Sequence, residues 1–220
     1  MGILAEPLRF IEELKLPKGF SVCELGDQFI TSGDHKYLAR EWYEKRGCAR
    51  YVCIDANGQN GALVIDLNKP LWTKYLSVHA HKNINRGTFD LVTDFGTGEH
   101  IFDQAQVWET MHMLAKPGGL LAFDRPSAGY EGHCFYLIQW NLVTALAHAN
   151  NYEVICLEEE RTTRGILLRG ALRKREDELF KIPQQGRYVP KLRIKTAERG
   201  VPDWKSKELR AAGVVGRPKE

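Results

Sequence analysis

The sequence predicts an α/β fold: a mostly parallel sheet of seven strands with helices on both faces and a terminal antiparallel hairpin. Three observations point there. Short apolar runs alternate with segments of helical periodicity, which implies a parallel sheet covered on both sides. The last two runs, Tyr152 to Leu157 and Gly165 to Leu172, lie close together across charged Glu158-Glu159-Glu160-Arg161, which suggests a hairpin. A chain of 220 residues supplies one full core and too little for two comfortable domains.

The elements follow in order. Residues 3–14 form a short amphipathic helix with Leu4, Leu8 and Ile11 on one face; Pro7 is tolerable in a first turn, and Pro17-Lys18-Gly19 breaks the pattern. Phe20 to Leu25 is the first strand. Thr31 to Asp34 resembles a capping box for a helix running to about Arg46, which buries Leu38, Ala39, Trp42 and Tyr43 and stops at Gly47. Tyr51 to Asp55 is the second strand, Ala62 to Leu67 the third and Phe89 to Asp94 the fourth; residues 70–79 carry a faint helical pattern. Residues 101–115 form a helix with Val107, Met111 and Leu114 on one face, ended by Pro117-Gly118-Gly119. Leu120 to Phe123 is the fifth strand. Phe135 to Ala149 is a helix with a stripe of Ile138, Leu142, Ala145, Leu146 and Ala149, and Asn150-Asn151 can cap it in the left-handed conformation. The two hairpin strands complete the sheet.

Composition narrows the function classes. Hydrophobic residues make up 43% and charged residues 27%, as in ordinary globular proteins, and no apolar run approaches a membrane-spanning length. Met1 to Lys18 lacks the basic start and apolar core of a secretory signal, and Glu6 stands where a myristoylation motif wants Ser or Thr. Cys23, Cys48, Cys53, Cys134 and Cys156 are odd in number and show no CxxC spacing. They read as reduced thiols of a cytoplasmic protein without a structural zinc site. His79, His81, His112 and His148 show no ligand-like grouping, and no metal is expected.

The net charge is only +3, but fourteen Lys/Arg against seven Asp/Glu fall between Arg173 and Glu220. Residues 1–175 therefore read as the folded domain and 176–220 as a basic extension. That extension is expected to pack on the domain or to clasp a second subunit in a homo-oligomer; contact with nucleic-acid phosphates is the less favoured reading.

Open parallel sheets bind ligands outside the carboxyl ends of their strands, near the switch in strand order. Glu24-Leu25-Gly26-Asp27-Gln28 follows the first strand, and Gly26 lets the backbone turn sharply against a ligand. Asp55 ends the second strand, where a carboxylate can accept both hydroxyls of a ribose. Asp66-Leu67 ends the third, suited to the edge and face of an adenine. Asp94-Phe95-Gly96 ends the fourth. A nicotinamide enzyme would want G-x-G-x-x-G after the first strand, which is absent.

In these pieces the chain resembles the class I S-adenosylmethionine-dependent methyltransferase family, over roughly residues 20–172. The resemblance rests on VCELGDQ, YVCIDAN, VIDLN and the long stretch from FDLVTDFGTGEH to MLAKPGG. It implies a Rossmann-like fold and S-adenosylmethionine as cofactor. It also implies Glu24 and Gly26 beside the methionine moiety with Asp27 and Gln28 in the same loop, Asp55 on the ribose, Asp66 and Leu67 flanking the adenine, and Asp94 and Phe95 near the transferring methyl. The family's first motif has the form E/D-x-G-x-G-x-G. Here Gly26 is followed by Asp27, Gln28, Phe29 and Ile30, a change that reshapes the methionine pocket and gives Gln28 a polar contact to offer.

Two loops should face the acceptor: Gly96 to His100 after the fourth strand, and Arg125 to Cys134 after the fifth. Glu99, His100 and His133 are the candidate catalytic residues, with His133 or His100 as general base for a hydroxyl or protonated amine. His133 could instead cap the helix that follows. The Asn/Asp-Pro-Pro-aromatic motif of amino-methylating DNA enzymes is absent. The expectation is a methyltransferase acting on a small-molecule or sugar-like acceptor. A non-catalytic binding or assembly protein of the same fold and a nucleic-acid methyltransferase stand as alternatives.

Overall fold

A computed structural model of the chain describes residues 2–3, 5–32, 35–71, 84–185 and 195–197. Strand β1 (Gly2–Ile3) and helix α1 (Ala5–Glu13) precede the first central strand, β2 (Ser21–Leu25). Strands β3 (Phe29–Ser32) and β4 (His35–Leu38) come next, then α2 (Ala39–Lys45) and β5 (Arg50–Ile54). Strand β6 (Phe89–Phe95), helix α3 (Gln104–Leu114), strand β7 (Ala115–Ala128) and helix α4 (Trp140–Ala149) follow. The chain then runs through β8 (Glu153–Arg161) and β9 (Ile166–Arg173) to a short β10 (Lys195–Ala197).

The main sheet has the order β10-β8-β9-β7-β6-β2-β5. Strands β5, β2, β6 and β7 pair in parallel, and β9 runs antiparallel to both β7 and β8. Six of the seven expected strands are present, with the expected terminal hairpin; β10 adds three residues beside β8. The exception is Ala62 to Leu67, which makes one bridge, Ile54 to Leu63, and no strand. Positive φ at Gly61 before it and a turn closed by Lys69 N–H on the Asp66 carbonyl after it leave no length for a ladder.

Each face of the sheet buries its own core. On one side Val107, Met111 and Leu114 of α3 and Val143 and Leu146 of α4 pack on Val92, Leu121 and Phe123. On the other, Phe10 and Ile11 of α1 and Trp42 and Tyr43 of α2 pack on Val22, Leu91, Leu120 and Ala122.

Three local expectations change. Thr31 does not cap a helix: Phe29-Ile30-Thr31 alternates half-buried, buried and exposed, and pairs antiparallel with β4 in a small sheet with β1. The helix therefore starts only at Ala39; Asp34 lies outside the described residues, as does most of 70–79. Helix α4 begins at Trp140 instead of Phe135, and its buried face is Val143, Thr144, Leu146 and Ala147, with Leu142 exposed. Asn151 does adopt the left-handed conformation after α4. Helix α3 keeps its predicted face, with the Asp103 side chain capping Gln106 N–H.

Candidate functional site

Strands β2 and β6 are neighbours, but the chain leaves β2 toward β5 and returns on its other side at β6. The loops after β2 and β6 therefore diverge and open a crevice at the carboxyl edge. A cavity of about 350 Å³ lies there, lined by polar Asp27, Asp55 and Thr97 and by apolar Ile54, Ile65 and Leu67, among others.

Asp55 is half-buried at the end of β5. Its Oδ2 accepts the Asp27 N–H at 2.8 Å and its Oδ1 accepts the Asn57 N–H at 2.9 Å. Two donors fix the carboxylate while leaving it further lone pairs. Asp27 in turn accepts from Asn60 Nδ2 at 2.7 Å. Asp66 lines the same cavity from an exposed turn. Hydrogen bonds from the Asn68 side chain and backbone hold its pKa below the usual carboxylate value. Buried Leu67 and Ile65 form the apolar wall beside it.

The loop after β2 turns at Gly26, whose φ of +98° excludes an ordinary side chain, and a Cβ there would overlap Thr97 Oγ1 and the Gln28 amide. Gln28 is buried, and its Nε2 donates to Thr97 Oγ1 at 3.1 Å. This bond ties the loop after β2 to the loop after β6 across the crevice. Gln28 Oε1 has no hydrogen-bond partner among the described residues.

Three expected cofactor residues lie beneath the cavity instead of on it. Glu24 is fully buried, accepts the Tyr51 hydroxyl at 2.5 Å, and has its pKa pushed up to about 8 by burial. Asp94 is fully buried; its Oδ1 accepts Gly98 N–H at 2.7 Å and Thr97 N–H at 3.3 Å and so shapes the second loop. Phe95 packs in the core against α1 and α2.

The two acceptor-side loops meet. Phe135 and Tyr136 donate their N–H groups to the Glu99 carbonyl at 3.0 and 3.2 Å. His100 and His133 stack edge to face with ring centroids 5.0 Å apart, and His100 also lines the cavity. His133 is exposed and lies well before the Gln139 cap of α4, so it does not cap that helix. Glu99 is buried, and burial together with neighbouring Asp94 pushes its pKa up to about 7. Burial and nearby His133 lower the pKa of His100.

Sequence reasoning named Arg125 only as the start of the loop after the fifth strand. It lies buried within β7, which runs on to Ala128, 3.5 Å from Asp94 Oδ2 and 3.7 Å from Glu99 Oε2, and donates to Gln104 Oε1 at 2.6 Å. Thr97, Ile101 and Asn60 were also missed as individual contacts; only their place in strand-end loops could have flagged them. Beyond the cavity, Phe102 and Phe135 are exposed, and the Phe102 ring lies 6.2 Å from that of Tyr136.

Residues 34–123 match the family model described as a methyltransferase domain, a match that begins beyond the altered loop after β2. No curated protein matches the chain. Among solved structures, the chain is similar to the 1,6-didemethyltoxoflavin-N1-methyltransferase of Burkholderia thailandensis, solved with 1,6-didemethyltoxoflavin and S-adenosylhomocysteine. That likeness has a TM-score of 0.53 at 15% identity and covers 77% of each chain. The geranyl diphosphate C-methyltransferase of Streptomyces coelicolor A3(2), solved with Mg2+, geranyl diphosphate and S-adenosyl-L-homocysteine, gives 0.52 at 9% identity over 77% of this chain and 78% of that one. The [4+2]-cyclase SpnF gives 0.51 at 11% identity over 78% and 82%. These likenesses establish the fold, and SpnF illustrates that one fold carries more than one chemistry.

Proposed function

We propose that this chain, part of which matches a methyltransferase domain, is a class I methyltransferase-family protein whose crevice binds S-adenosylmethionine and beside which a small-molecule acceptor is methylated. The observation that carries this reading is the pairing, in one cavity, of a fixed carboxylate at Asp55 with an apolar wall of Ile65 and Leu67. That combination suits a nucleoside: charged hydrogen bonds for ribose hydroxyls and a flat apolar surface for a base. Asp55 would hold the ribose, with Asp66 and Leu67 at the adenine and the loop from Gly26 to Gln28 at the methionine arm. When bound, the cofactor supplies an electrophilic methyl group on a sulfonium.

The protein's own task is then positioning. Methyl transfer needs the acceptor in line with the sulfonium, so holding it still accounts for much of the effect. The cluster of Glu99, His100 and His133 stands at the acceptor side and is the candidate for taking up an acceptor proton. The exposed ring of Phe102 and neighbouring Tyr136 favour an acceptor with an apolar face. Neighbours with small-molecule methyltransferase names support the same choice.

One observation favours a second reading, a binding module without turnover: the Gln28 to Thr97 bond closes together the two loops between which a methionine arm would have to fit. Methyl-labelled S-adenosylmethionine offered with a panel of small hydroxyl, amine and carbon acceptors separates the two. Transfer of label with release of S-adenosylhomocysteine supports catalysis; tight binding with no transfer to any acceptor supports the module.

A further inference from the structure

We propose that Glu99, His100 and His133 form a binding site for one divalent transition-metal ion at the acceptor side of the crevice. Glu99 and His100 sit on a 3-10 turn after β6, and His133 sits on the loop after β7. These residues are distant in sequence, yet one ligand atom from each lies within 4.8 Å of the other two. The arrangement is braced, since the Glu99 carbonyl accepts the N–H groups of both Phe135 and Tyr136.

A second observation points to a missing partner. The Glu99 side chain is 1% exposed, and neither of its carboxylate oxygens has a hydrogen-bond donor among the described residues. His100 Nε2, 3.9 Å from Glu99 Oε1, has no hydrogen-bond partner either. Buried polar groups are normally satisfied, so orphaned atoms converging on one point call for a ligand there. Arg125 does not supply it. Its Nε stands 3.7 Å from Glu99, outside hydrogen-bonding distance, and its charge is shared with Asp94 at 3.5 Å. Asp94 and Glu99 thus share the single Arg125 guanidinium, which leaves the pair of carboxylates room for a second positive charge.

The donor set selects the class of ion. Two imidazoles and one carboxylate suit zinc, cobalt, manganese or ferrous iron; magnesium and calcium prefer oxygen ligands alone. Metal–ligand bonds of about 2.1 Å need ligand atoms closer together than 4.8 Å, which small side-chain rotations supply. His133 is exposed and free to make one. Three protein ligands leave coordination positions open, at a site that borders the cavity through His100. Within the methyl-transfer reading, on which this last step rests, an acceptor oxygen would occupy an open position. The acceptor would then be a hydroxyl compound acidified by the ion, its proton passing to solvent, with Glu99, His100 and His133 acting as ligands in place of a base.

The test uses untagged full-length protein without S-adenosylmethionine, titrated with Co2+ and followed by visible absorption and calorimetry. The expected result is one Co2+ per chain, with a ligand-field band in the visible. Affinity should fall at least tenfold in His133→Ala and in His100→Ala, and be unchanged in His148→Ala, an exposed histidine on α4. His133 is exposed, so its variant should fold like the parent, which circular dichroism checks. No binding by the parent, or binding that survives in both site variants, would overturn the proposal. Because the readout needs no cofactor, its failure is distinct from any failure of S-adenosylmethionine to bind.

Discussion

Gln28 is the residue on which cofactor fit turns. It stands where the related motif has its second glycine, and its amide bridges to Thr97 Oγ1 at 3.1 Å. An arm entering between those loops must break that bond and turn the side chain away. One net hydrogen bond is worth about 1 kcal/mol, so Gln28→Gly should tighten S-adenosylhomocysteine binding about five- to tenfold. Isothermal titration measures it, and weaker binding would mean that Gln28 contacts the ligand instead of blocking it. Glu24 makes a second prediction. Burial raises its pKa from 4.5 to about 8, so the folded protein holds a proton that the unfolded chain releases. A raised carboxyl pKa gives stability that is full below about pH 4.5 and is lost as pH rises toward 8, with a slope of about 1.4 kcal/mol per pH unit. Denaturant melts of Glu24→Gln between pH 5 and 8, the window set by that pKa, should lose this slope. An unchanged slope would assign it elsewhere, Glu99 being the next group of the same sign.

At the scale of elements, strands that alternate with helices were legible because burial writes its period into the residues. The first strand and the helix ending near Leu114 stand where periodicity put them; the terminal hairpin is present too, but β8 runs on through Glu158 to Arg161, the charged stretch expected to separate its strands, and the turn follows it. Phe29 to Leu38 was not, because Thr31 and Asp34 mimic a helix cap while Phe29-Ile30-Thr31 alternates as a strand; pairing with β4 decided it. Ala62 to Leu67 has strand-like apolar content but ends after a single bridge, because turns flank it. The acids were legible as strand-end residues, yet sequence does not say which pass beneath the cavity. Asp55 and Asp66 line it, while Glu24 and Asp94 turn inward to Tyr51 and to the Gly98 N–H. Helix α3 carries the prediction at this scale. Asp103 caps it by accepting the Gln106 N–H at 3.0 Å. Asp103→Ala should cost about 1 kcal/mol and lower Tm by about 2–4 °C in calorimetry. No change would mean that the exposed Asp103 is replaced by water without loss.

At the scale of the molecule, strand order brings distant loops together. The Gln28 to Thr97 bond was not legible, and the meeting of Glu99 and His100 with His133 was legible only as two loops facing one site, because the contacts themselves depend on β2, β6 and β7 being neighbours. The start of the basic extension is also bound to the domain. His112 bonds the Glu178 carbonyl at 2.8 Å, Asn150 accepts the Lys181 N–H at 2.7 Å, and Phe180 packs near the His112 ring. These contacts agree with an extension that packs on the domain, and we propose that the packing continues at least to Lys181. We propose that the crevice holds a nucleoside cofactor through Asp55. This is tested most directly by calorimetric titration of S-adenosylhomocysteine into the parent protein and Asp55→Ala. Binding in the micromolar range is expected, weakening about ten- to a hundredfold in the variant, as the loss of charged hydrogen bonds to a ribose requires. No heat with the parent, or equal affinity in both proteins, would contradict it.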